Sequence, residues 1–335
     1  MDLTILIPTY NHYELIKKLL SFYELSKFKG NIIIIDSSEE EILIKTRLLI
    51  KKFKKIKVEY VEYKTDAYSA KWKVFDRIKT KYVVQSGDDD YYFSKGLAKI
   101  IQCLNKNINL TYVVGDACYL VYNKNKITNS WYYKSPIYKD NTISKRLNKF
   151  NFMFQQLPEY AVYKTSAFKK IYFQGKWKKN IDKKDWYNLC EINSSFSNVI
   201  HGPGDYVPNF YLVRTAINKK RAGVPVIDKI KFIKEFKKWR QKIIFEIKKY
   251  DSSEKTLILA NKKIDFIYLI RAMRINKTMW YKSKKIFQVI IKNYFEVIIF
   301  RLRFIKSLDQ ALLEKKSSLF NEEFKILNKI LLKNK

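Results

Sequence analysis

This chain has little histidine, cysteine, glycine or proline, and far fewer acids than bases. Only His12 and His201 occur, which excludes a His-rich metal site and makes a Ser-His-Asp hydrolase depend on one of two residues. The cysteines, Cys103, Cys118 and Cys190, are odd in number and far apart. They support neither a disulfide framework nor a zinc knuckle, and a reducing cytoplasm is expected. The chain opens on a strand-like run, Leu3 to Ile7, where a secretory leader would be basic and then apolar, so export is not expected. Long uninterrupted hydrophobic runs are missing too. The most apolar late stretch, Ile286 to Ile305, is broken by Lys292, Glu296, Arg301 and Arg303, so it reads as a helix lying on something rather than a membrane span.

What is abundant is base, aromatic and aliphatic. With 335 residues, 47% hydrophobic and 16% aromatic, the chain has ample material for a buried core. Sixty-seven Lys and Arg against 32 Asp and Glu leave a formal charge of +35, which favours an anionic partner: nucleic acid, an acidic lipid surface or a phosphorylated substrate. The joint excess of Lys, Ile, Asn, Tyr and Phe is also what an AT-rich coding sequence produces, so composition leaves both explanations open.

The first half alternates short β-branched runs with amphipathic stretches, the pattern of βαβ units and a largely parallel sheet. Strands are predicted at Leu3 to Pro8, Asn31 to Asp36, Lys57 to Glu62, Tyr82 to Ser86 and Leu110 to Val114. A helix is predicted over Tyr13 to Phe28, with Leu15, Ile16, Leu19 and Leu20 at helical period. In such a sheet the ligand crevice lies beyond the carboxyl ends of the strands, which places Pro8-Thr9-Tyr10-Asn11 and Asp36-Ser37-Ser38 at one site. From about Ile217 the punctuation changes to long helical periods, Ile230 to Tyr250, Asn261 to Ile275 and Tyr281 to Ile305. The division is therefore residues 1–216 and a basic helical region, 217–335, holding roughly half of the net charge on about a third of the chain.

The strongest chemical signal is the strand Tyr82-Val83-Val84-Gln85 running into Ser86-Gly87-Asp88-Asp89-Asp90. Three adjacent carboxylates repel one another unless a cation or hydrogen-bond donors offset the repulsion, and a hard divalent cation with oxygen ligands does so economically. In an extended chain alternate side chains share a face, so Asp88 and Asp90 are expected to converge on the metal. A solvated acidic turn is the plainer alternative.

Taken in order, Ile7-Pro8-Thr9-Tyr10-Asn11, Ile35-Asp36-Ser37-Ser38 and Asp88-Asp89-Asp90 resemble the family 2 glycosyltransferases of the GT-A fold, over roughly Leu3 to Arg214. The resemblance implies a Rossmann-like, mostly parallel sheet and inverting, metal-dependent transfer of a sugar from a nucleotide diphosphate, with UDP or GDP as carrier and Mn2+ or Mg2+ as the ion. Pro8, Thr9, Tyr10 and Asn11 would border the nucleotide, Asp36 would accept from base or ribose, and Asp88 and Asp89 would face the diphosphate. Asp66, Lys71 and Arg77 would fall where the family contacts base and diphosphate, although Thr65 to Ala70 replaces the usual glycine-rich stretch. The acceptor hydroxyl needs a base. Lys184-Asp185-Trp186-Tyr187-Asn188-Leu189 keeps the Asp, the aromatic and the Leu of the family's acid-aromatic-Leu segment but has Lys for its Glu, giving Asp185 as base, Glu191 in reserve and Trp186 near the acceptor. A helix-dipole acid is the alternative role for Asp185. Glu159 is a further acceptor-side candidate, and Arg214, with His201 assisting, would clamp a phosphate.

The acceptor implied is a saccharide or lipid-linked saccharide in surface polysaccharide or glycoconjugate synthesis. The basic, aromatic helices suit an anionic membrane, placing the chain peripherally on its inner face. Two rivals remain: a polymerase-like nucleic-acid binder built on Gly87-Asp88-Asp89, and a non-catalytic scaffold of the same fold.

Overall fold

In the computed structural model the described residues are 1–64, 71–123, 126–133, 138–150, 159–172, 183–217, 229–275, 305–306 and 318–332. The amino-terminal half opens as βαβαβ: β1 (Leu3–Thr9), α1 (Tyr13–Leu25), β2 (Asn31–Asp36), α2 (Glu40–Ile50) and β3 (Lys57–Glu62). β1 and β2 are apolar on both faces because both faces are covered; Ile5, Leu6, Ile7, Ile32, Ile34 and Ile35 expose nothing. α1 lays Ile16, Leu19, Leu20, Phe22 and Tyr23 on this sheet, each worth about 1.5–3 kcal/mol of burial. It stops short of the predicted Phe28, at Lys27 in left-handed backbone with φ 53°.

β4 (Tyr82–Gln85) does not extend the row past β3. It returns to the other side of β1, giving a parallel order β4-β1-β2-β3. The order therefore reverses between β1 and β4, and the crevice at a reversal is where open α/β sheets take ligands. A short turn leads to β5 (Asp90–Tyr92) and α3 (Ser94–Lys106). Gly96 is required near the start of α3, since a Cβ there would stand 2.2 Å from the Phe210 carbonyl oxygen.

The other half of the sheet is largely antiparallel. β6 (Tyr112–Asn123) outruns the predicted Leu110 to Val114 because β9 (Gly204–Ile217) pairs along nearly all of it, this one pair of the half being parallel. β7 (Lys126–Tyr133) and β8 (Val162–Lys164) also pair with β6, β8 joins it to β4, and β5 pairs only with β9. Around them stand α4 (Ile143–Lys149), α5 (Thr165–Tyr172) and α6 (Lys183–Ile200).

α7 (Lys229–Tyr250) and α8 (Glu254–Ile275) form a hairpin tied by Arg240 to Asp265 at 2.7 Å and to Asn261 at 2.8 Å. α7 packs on α6 and α8 on α4. Trp239 is wholly buried and donates to Asn193 of α6 at 3.2 Å. α9 (Ser318–Leu332) returns to α1, burying Leu327 and Leu331 in the same core as Leu19 and Phe22. Its Glu323 accepts from the Ser94 backbone N–H at 2.8 Å and so serves the amino terminus of α3. Most of the helix predicted over Tyr281 to Ile305 lies outside the described residues; its last residue instead begins β10 (Ile305–Lys306), added antiparallel to β7.

Candidate functional site

Three parallel strands deliver their ends to one edge. At the end of β1, Thr9 is 6% exposed and donates its hydroxyl to Asp88 Oδ2 at 2.7 Å. His12 Nδ1 stands 2.8 Å from the same oxygen, with over half of its side chain exposed. The β1 exit thus holds the β4 exit across the strand reversal. Asp88 Oδ1 takes no hydrogen bond from the described residues, which leaves that oxygen for a cation.

One strand over, Asp36 is 1% exposed. Its Oδ1 accepts from the Ser38 N–H at 2.9 Å and from the Ser38 hydroxyl, and its Oδ2 accepts from the Tyr60 hydroxyl at 2.9 Å. Burial and the Asp36 carboxylate together push the Tyr60 phenol pKa well up, so Tyr60 remains a donor. Asn11, in left-handed backbone at φ 56°, clasps the neighbouring exit: its N–H donates to Ser38 Oγ at 2.7 Å and its Oδ1 accepts from Glu39 N–H at 3.0 Å. Pro8 is half-buried opposite Ile35, while Tyr10 is exposed and open to contact.

Asp90 behaves differently from Asp88. It opens β5 opposite Arg214 of β9, and it is 2% exposed. Its Oδ2 accepts from Gly87 N–H at 3.1 Å, and its Oδ1 lies 3.4 Å from Arg214 Nε, an ion pair at long reach. Burial drives its pKa up against the pull of Arg214 and Gly87. Strand pairing with β9 thus turns Asp90 toward Arg214 and the Gly87 N–H, while Asp88 is held by Thr9 and His12. Asp89 gives its backbone carbonyl to Thr215, by N–H at 3.2 Å and by hydroxyl at 2.7 Å. Its carboxyl pKa is pushed up to about 8 by burial and by the neighbouring Asp90 and Asp88. The raised pKa values show that burial and mutual repulsion disfavour ionising all of these carboxyls together; the turn's donors are all oxygen, so the residues fit a hard divalent ion. Among the described residues no three His, Cys, Asp or Glu side chains gather to hold one without help.

Arg214 stacks over the Tyr160 ring at 4.2 Å as well as facing Asp90. His201 cannot assist it. His201 precedes the first residue of β9 and packs edge-on against Tyr250, and β9 runs from Gly204 opposite Tyr112 to Arg214 opposite Tyr119, which at roughly 3.3 Å per residue of β6 is about 23 Å. Arg77 pairs with Glu59 at 2.5 Å on the exposed side of β3, away from the strand exits. Lys71 is 8% exposed and donates to Gln85 Oε1 at 2.8 Å. Asp66 lies outside the described residues. Asp185, Trp186 and Glu191 fall on α6, the first two within its first turn as expected; their side chains are outside the description. Glu159 reaches this helix, accepting from Ser194 Oγ at 2.8 Å. The Gly87-Asp88-Asp89 turn is not a hairpin tip, since β4 pairs with β1 and β8 while β5 pairs with β9, which removes the geometry of the polymerase reading.

His12 was not singled out from sequence as a site residue. Its signal was position alone, directly after the Pro-Thr-Tyr-Asn run.

The fold so described is of the GT-A class. Among solved structures the chain resembles S. aureus TarS 1-349 in complex with UDP-GlcNAc, at TM-score 0.58 and 15% identity, over 85% of this chain and 77% of that one. The same protein in complex with UDP aligns at TM-score 0.55 and 15% identity, over 85% and 76%. Against the longer TarS chain the TM-score is 0.54 at 16% identity, and only 46% of that chain is covered. No protein-family model and no curated protein sequence matches the chain.

Proposed function

We propose that this chain is an inverting glycosyltransferase that moves a sugar from UDP or GDP to an acceptor hydroxyl, with Mn2+ or Mg2+ on the donor diphosphate. The observation that carries the reading is the Thr9 to Asp88 hydrogen bond across the β1/β4 reversal, with Asp36 one strand away. The likeness in fold to TarS in complex with UDP and UDP-GlcNAc supports it.

Asp88, steered by Thr9 and His12, would hold a divalent ion, which would supply Lewis-acid neutralisation to the donor diphosphate. Asp36, with Tyr10 and Pro8 beside it, borders the nucleoside. Arg214 and Asp90 stiffen the turn that carries Asp88, and Arg214 lies on the donor-phosphate side of the site. Asp185, with Glu191 in reserve, takes the acceptor hydroxyl proton as that oxygen bonds to the anomeric carbon and the nucleoside diphosphate leaves with its bonding pair. Glu159 and Trp186 shape the acceptor side. Residues 1–216 would form the catalytic unit and 217–335 a basic buttress to it.

No described helix is long and apolar enough to cross a membrane. The exposed face of α7 carries Lys234, Lys237 and Lys248 around Phe245, which is 62% exposed, with Tyr250 and Ile258 exposed nearby. Basic residues near an anionic surface contribute about 1 kcal/mol each, which supports docking on the cytoplasmic leaflet, where a lipid-linked saccharide acceptor for surface polysaccharide or glycoconjugate synthesis would reside.

A melting-temperature screen of UDP and GDP, with Mn2+, Mg2+ or chelator, tests the donor reading. A metal-dependent rise with one nucleotide is expected, and no rise with any would defeat it. Vesicles rich in phosphatidylserine should pellet the protein at low salt and release it at high salt; neutral vesicles pelleting it equally would defeat the membrane reading.

A further inference from the structure

The carboxyl half of α6 buries an unusual polar run: Asn193, Ser194, Ser195, Ser197 and Asn198 are each at most 5% exposed. Buried polar groups in a helix that faces a sheet require partners. The partners of Asn198 lead back to the donor edge. Tyr163 of β8 donates to Asn198 Oδ1 at 2.9 Å. The Tyr163 and Tyr172 rings meet edge to face, 6.0 Å apart and perpendicular, and burial together with the neighbouring Tyr172 phenol pushes the Tyr163 pKa well up. Gln85, the last residue of β4, donates through Nε2 to the Tyr172 hydroxyl at 3.2 Å and accepts from Lys71 Nζ at 2.8 Å. The Gln85 carbonyl also accepts from Tyr92 just past the acidic turn, at 2.7 Å.

We propose that Lys71, Gln85, Tyr172, Tyr163 and Asn198 form one buried polar relay, making Gln85, Tyr172 and Tyr163 positioning residues that couple the strand end bearing Asp88 to the acceptor-side helix α6. The proposal rests on the donor reading for its functional meaning, while the hydrogen bonds on either side of the Tyr163–Tyr172 contact stand without it. Apolar neighbours surround it: Phe168 packs on Tyr172 at 4.3 Å and on Tyr163 at 5.5 Å. In such surroundings a hydrogen-bonded chain holds one geometry, although Asn198 Nδ2 has no partner among the described residues, and a broken chain leaves further orphaned groups that must find water. α6 is also fixed from its far side by Trp239 and at its end by Arg146, which donates to the Val199 carbonyl at 2.6 Å and the Ile200 carbonyl at 3.2 Å. The relay is its link to the donor edge through β4 and β8.

Amide hydrogen exchange on the full chain tests this in two arms. Without nucleotide, Lys71→Gln and Tyr172→Phe should each speed exchange over residues 193–200 by roughly tenfold, while α2 exchanges as in the unaltered protein. No change over 193–200, or a uniform rise everywhere, overturns the relay. In the second arm, UDP or GDP with Mn2+ should slow exchange over 193–200 in the unaltered protein. In Tyr163→Phe, nucleotide affinity should stay within about twofold while that protection is lost; protection surviving in Tyr163→Phe overturns the coupling. A protein that binds neither nucleotide sinks the donor reading, and the first arm then decides the relay alone.

Discussion

The two halves of the sheet treat acidic residues in opposite ways. In the parallel half, β3-β2-β1-β4, every strand points the same way, so each exit is delivered to one edge and Asp36 and Asp88 are held there by neighbouring exits. In the antiparallel half, β5 lies against β9, and Asp90 is drawn inward to Arg214. Two carboxylates separated by one residue thus belong to different halves. The parallel arrangement gathers chemistry; the antiparallel one braces it.

This contrast is broken most sharply by removing the brace. Arg214→Met should lose about 3–5 kcal/mol of stability, because Asp90 is left buried without its cation, and Asp90→Asn in the same chain should restore much of it. Thermal melts of both variants decide the matter; an unchanged melting temperature in Arg214→Met would place Asp90 on the functional side of the divide.

Asp88→Asn makes the complementary test. Metal-stimulated donor turnover should fall by roughly 100-fold or more, while the fold holds and the melting temperature stays put or rises as repulsion within Asp88-Asp89-Asp90 eases. A large melting-temperature loss with turnover preserved would reverse the assignment of brace and site.

The smallest effect is expected at Glu323, where the carboxyl-terminal helix meets the parallel half. Burial raises its pKa above 4.5, outweighing the Ser94 and Lys95 N–H groups. For an acid with a raised folded pKa, the stabilisation is complete below the unfolded value and disappears as pH climbs through the folded one. Glu323→Gln should therefore melt roughly 1–3 °C higher at pH 7, and the gain should fade as pH drops toward 4.5. A gain that grows on acidification would contradict the sign.

Much of the parallel half was legible in the sequence. β2 and β3 fall where alternation and β-branching put them, α7 falls on its helical period, and α8 ends at the predicted Ile275 but begins at Glu254, ahead of the predicted Asn261. β5, β7 and β8 were not read, because three-residue strands and an aromatic run such as Lys126–Tyr133 carry little periodic signal. Of the site, the exits of β1, β2 and β4 were readable. The misplacement of His201 came from a linear view of β9: residues near one another in sequence lie at opposite ends of a long strand.

The sequence by itself determined which segments become strands and that three polar exits follow them, since hydrophobic period and turn chemistry act over a few residues. Only the tertiary structure decided that Asp88 meets Thr9 across a separation of 79 residues, that Asp90 meets Arg214, and that Gln85 is tied to α6 through two tyrosines. Those choices depend on strand order and pairing, which bring distant residues within hydrogen-bond reach and have no local signature.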